Sequence, residues 1–97
     1  MRPMKRDDVE RRLLEVHARL VRARQELAVV EEQLEVFLET ADEARIRSLV
    51  SETPVADRDW HDAQRHAEAM TRGRDSASAR VAELERAQDD LLDKLVV

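Results

Sequence analysis

At 97 residues, with 40% charged side chains, 2% aromatics, one Gly, two Pro and no Cys, the chain has the composition of a single domain built from long helices. So little aromatic volume excludes a mixed globular core. The lack of cysteine excludes a disulfide framework, a thiolate metal site and a cysteine nucleophile. A net charge of −5 with both signs interspersed disfavours nucleic acid as a partner, because phosphate binding needs clustered Lys or Arg.

Residues 1–6, Met1-Arg2-Pro3-Met4-Lys5-Arg6, read as a frayed tail whose basic charge Asp7 and Asp8 offset at once. They lack the apolar run of a signal peptide, and no later segment is apolar enough to span a bilayer, so a cytoplasmic location and no membrane contact are expected. Asp7 or Asp8 is placed to cap a first helix over residues 7–50, with Glu10 in its first turn favoured by the helix dipole.

Along that helix Val9, Leu13, Val16, Leu20, Ala23, Leu27, Val30, Leu34, Phe37, Ala41 and Ala44 step by four and three without a break. This is the heptad seam of a coiled-coil helix. Thr40-Ala41-Asp42-Glu43 resembles a capping box, but the seam keeps its phase through Ala41 and Ala44, which predicts a continuous helix.

Residues 51–53 supply the turn. Thr53-Pro54 is an N-cap followed by proline at the first helical position, and Pro54 also turns Thr53 away from helical geometry. The second helix, 54–95, has its own seam: Trp60, Ala63, Ala67, Met70, Arg74, Ala77, Val81, Leu84, Gln88, Leu91 and Leu95. Each position of the first seam and its mirror in the second sum to 104, so the two patterns fold onto each other about residue 52. Large faces small in several layers: Trp60 with Ala44, Phe37 with Ala67, Leu27 with Ala77 and Val81 with Ala23, as close packing requires. The predicted fold is all-α, a long antiparallel coiled-coil helical hairpin that dimerises into a four-helix arrangement.

Two polar residues, Arg74 and Gln88, interrupt the second seam, and a glycine stands beside the first of them. Gly73 lies mid-helix, where it marks a tolerated weakness, a close approach or a hinge. Arg74 faces Val30 and is placed to reach Glu31 or Glu26. Gln88 faces Val16, where a polar residue fixes register at a cost in stability.

A second apolar stripe lies outside the seam of the first helix. Its principal members are Leu14, Val21, Val29 and Val36, joined toward the turn by Leu38, Ile46, Leu49, Val50 and Val55. A two-helix hairpin buries one seam only, so this stripe is expected to bind a partner. The simplest partner is a second copy, giving a homodimer, and a different protein serves equally.

No arrangement of residues points to catalysis. His61 and His66 are five apart and do not share a helix face, and neither a catalytic triad nor a phosphate-binding loop is present. No enzyme activity, cofactor or metal is expected. The turn region is acidic, with Asp57, Asp59 and Asp62 around Trp60, which serves either as the last core layer or as an exposed anchor.

Asp59-Trp60-His61-Asp62-Ala63-Gln64 resembles the Asp-x-x-Asp-x-Ala tip of RNA polymerase secondary-channel regulators of the DnaK suppressor type. The likeness covers six residues and the hairpin; Gln64 replaces the final Ala, and the motif lies past the turn. It implies Asp59 and Asp62 as carboxylates near a magnesium ion. Residues 47–54 with Ala63-Gln64-Arg65-His66 also resemble short uncharacterised actinobacterial coiled-coil proteins, a source that fifteen Arg to two Lys would suit. The functional expectation is a non-enzymatic interaction or regulatory module acting through the outer stripe and the acidic tip. The alternatives are a transcription regulator that inserts its tip into RNA polymerase, and a nucleic-acid-associated protein using Arg45, Arg47 and Arg58.

Overall fold

The computed structural model describes residues 5–96, so residues 1–4 of the expected tail lie outside it. Two helices make up the fold, α1 over Arg6–Ser51 and α2 over Pro54–Val96, joined as a helical hairpin. Neither helix is long and apolar enough to cross a membrane. α1 contains no Gly or Pro, and α2 has only Gly73 and the proline of its first position, so nothing local interrupts either helix.

Both helices are slightly longer than the spacing predicts. Lys5 supplies the carbonyl that accepts from the Val9 amide at 3.1 Å, so α1 starts ahead of Asp7 and Asp8. Those carboxylates sit in the first turn and act on the helix dipole rather than as the cap. α1 also continues through Thr40 without a break and takes in Ser51.

The link is therefore only Glu52 and Thr53. Glu52 has φ of 53°, and its amide donates to the Ser48 carbonyl at 3.0 Å, which is the left-handed ending of a helix. Thr53 then caps α2: its Oγ1 accepts from the Ala56 amide at 3.2 Å, and its carbonyl accepts from the Asp57 amide at 3.0 Å. The Ser48 hydroxyl reaches across the turn to Asp57 at 3.5 Å, at the limit of a hydrogen bond.

The chain resolves into two compact units, one of Met1–Leu27 with Ala77–Val97 and the other of Ala28–Ser76. In the first, Val9, Leu20, Ala23, Val81 and Leu91 are buried. Leu20, Ala23 and Val81 form one cluster against which Leu27 and Leu84 pack. Leu20 is the most enclosed of them at 0% exposure. An exposed bridge from Arg24 to Glu85, at 3.6 Å, flanks this cluster.

In the second unit Leu34, Ala44 and Ala67 are buried, and the Phe37 ring meets His66 edge-on with centroids 6.2 Å apart. Eight of the twenty-two mirror positions are buried and the other fourteen half-buried; none is exposed. The pattern also runs one step further than the sequence suggests. Ser48 and Ala56, which continue the mirror, are half-buried too.

Two predictions follow from this packing and this turn. Leu20→Ala, at a site 0% exposed, should lower unfolding free energy by about 3 kcal/mol in urea titration. Thr53→Ala should cost about 1 kcal/mol, and Glu52→Gly should gain up to about 1 kcal/mol by relieving the positive φ.

Candidate interaction surfaces

α1 leaves much of its apolar surface outside the seam. In the first unit Leu14 is 73% exposed and Val21 less so; in the second Val29 and Val36 are 52% and 60% exposed. Leu38, Ile46, Leu49, Val50 and Val55 add to the second unit's exposed apolar surface, and the last four lie near the turn. All of these are medium or large side chains in water, on a chain whose largest fully buried side chain is one leucine.

The acidic residues of the turn region differ in their surroundings. Asp57 lies 3.6 Å from the His61 imidazole, and Asp62 pairs with Arg65 one turn along α2. Among the described residues, no cation stands within ion-pair distance of Asp59. Asp59, Asp62, Arg47, Thr40 and His66 line a groove of about 380 Å³ together with Phe37, Ala44 and Ala63. Trp60 is half-buried and stacks on His61 with centroids 5.4 Å apart, so its ring is shared between core and neighbour instead of standing free.

The polar interruptions of the seam resolve differently from one another. Arg74 is half-buried, and its Nε donates to the adjacent Asp75 at 2.8 Å; the expected reach to Glu31 or Glu26 is replaced by this shorter local pair. Its side chain instead lines a shallow groove beside Glu31, Glu32 and Glu35. Gln88 is half-buried with its Oε1 enclosed and without a hydrogen-bond partner. α2 stays helical through Gly73, and a Cβ added there would meet no atom within 4 Å. Close approach of a neighbour is therefore not the reason for this glycine.

Sequence reasoning missed Thr71, a polar residue half-buried on α2. Its hydroxyl donates to the Ala67 carbonyl at 2.9 Å, which satisfies it without a partner from α1. The signal was available, since a Thr hydroxyl in a helix commonly turns back on the carbonyl one turn earlier.

Among the described residues no group of three or more His, Cys, Asp or Glu converges as a metal site would require. No family model matches the chain, and neither a curated protein nor a solved structure matches it.

Substitution separates register control from simple packing at these positions. Gln88→Leu should raise unfolding free energy by about 1–2 kcal/mol, because it removes an unsatisfied enclosed oxygen at similar volume. Gly73→Ala should raise it by about 1 kcal/mol, as the added methyl meets open space. Both are measured as shifts in urea midpoint at unchanged slope.

Proposed function

We propose that the chain is a non-enzymatic interaction module that self-associates through the outer face of α1 into a four-helix homodimer, leaving its acidic tip to engage a second protein. The observation that carries this reading is the surface it leaves in water. A folded monomer of this mass exposes roughly 5,700 Å² by size scaling. This chain exposes 7618 Å². The excess, about 1,900 Å², is more than twice the roughly 800 Å² that each partner contributes to a standard interface.

The exposed side chains fit that use. Leu14, Val29 and Val36 are the size and type that interfaces bury, and isolated heptad helices draw most of their stability from such burial. At the tip, Ile46, Leu49, Val50 and Val55 stand near the turn acids, a mix of apolar anchor and charged rim that suits a protein partner. Asp59, with no cation beside it among the described residues, is the tip carboxylate best placed to pair with a partner's base.

Sedimentation at micromolar concentration tests the self-association. The expected result is a species of twice the chain mass, which Val29→Lys combined with Val36→Lys converts to a monomer of undiminished helix content at low temperature. A wild-type chain that sediments as a monomer and melts cooperatively would overturn it.

A further inference from the structure

Alanine thins the seam near the turn. Among the mirror pairs only Ala41 with Ala63 joins two alanines, and the neighbouring pairs, Ala44 with Trp60 and Phe37 with Ala67, contribute one more each. Methyl groups fill little of the space between two packed helices, so gaps are left beside them. Two grooves border these alanines. One, of about 380 Å³, is lined by Ala44 and Ala63, and the other, of about 460 Å³, by Ala41 and Ala67. Both lie wholly within the second compact unit.

The smaller groove carries unmatched charge of both signs. Arg47 lines it from α1 and Asp59 from α2. Among the described residues neither stands within ion-pair distance of an opposite charge, and they do not pair with each other. A further carboxylate, Asp62, is held by Arg65, which does not line the groove. Phe37, Ala44 and Ala63 supply apolar lining, and the Phe37 ring meets the His66 ring edge-on. The larger groove differs: its charges, Glu68 and Arg72, both belong to α2 and stand one turn apart.

From this arrangement we propose that the smaller groove binds a small zwitterionic amino acid. Its ammonium pairs with Asp59, its carboxylate pairs with Arg47, and its carbon skeleton lies against Phe37, Ala44 and Ala63. A ligand with a single charge satisfies one of the two groups and leaves the other unmet. An uncharged apolar ligand leaves both unmet. A zwitterion satisfies both with charge-assisted hydrogen bonds, while its skeleton covers the apolar lining. The volume lies within the range of small-molecule sites, which begins near about 300 Å³. This inference goes beyond the self-association proposed above and does not rest on it. It also gives Asp59 a use that excludes the protein contact proposed for the tip, so the two ligands compete.

Nuclear magnetic resonance titration with 6-aminohexanoate and with L-leucine, zwitterions whose charges are spaced differently, tests the proposal. The expected result is a saturable shift of the Arg47, Asp59 and Ala63 amides with at least one of them, at a millimolar Kd. The counterpart lacking the carboxylate (pentylamine or 3-methylbutylamine) should bind about three- to tenfold more weakly. So should the counterpart lacking the ammonium, hexanoate or 4-methylpentanoate. Asp59→Asn and Arg47→Gln, at exposed positions, are each expected to weaken the zwitterion by a similar factor. Ala63→Leu keeps both charges and fills the groove, and is expected to abolish binding. The absence of a saturable shift with either zwitterion would overturn the inference. Equal binding of a singly charged counterpart, or undiminished binding by Ala63→Leu, would overturn it too. Circular dichroism of each variant confirms that the helices remain.

Discussion

Everything in this fold depends on the contact between the seams of α1 and α2, and on the two residues that set its register. With Glu52 and Thr53 as the whole link, the helices have no slack to slide past one another. The left-handed backbone at Glu52 ends α1, and the Thr53 side chain starts α2. From there heptad spacing carries the register outward, and the seam positions of both helices are buried or half-buried along their length. A two-residue shift anywhere along either helix would rotate its apolar residues out of the seam.

That contact is thin. It buries eight residues and half-buries the rest of the seam, in a chain where 42% of residues are apolar. Ion pairs add little: each is exposed, and most join residues three or four apart on one helix. Gln88 weakens the seam further with an enclosed oxygen that finds no donor.

The seam was legible because it obeys one rule over forty residues, and because the turn signal Thr53-Pro54 falls at its mirror point. What escaped were features that rest on local geometry. The layer of Ser48 with Ala56 was hidden because both side chains are small or polar, although their spacing continues the pattern. The start of α1 was placed too late because Asp7 and Asp8 look like caps, while the helix already begins at Arg6, with the Lys5 carbonyl accepting from the Val9 amide. Arg74 has several acids within reach of its length, and sequence spacing alone does not say that adjacent Asp75 takes it. The outer residues were identifiable by periodicity, and the structure places them in water.

The proposal that self-association stabilises the folded hairpin is tested most directly by thermal melting at different protein concentrations. A coupled dimer unfolds at a temperature that rises with concentration, because the unfolded chains are separate and the folded ones are paired. The account predicts a Tm that climbs by several degrees across on the order of a hundredfold increase in concentration. A Tm that stays fixed across that range would mean that the hairpin is stable alone, and would contradict it.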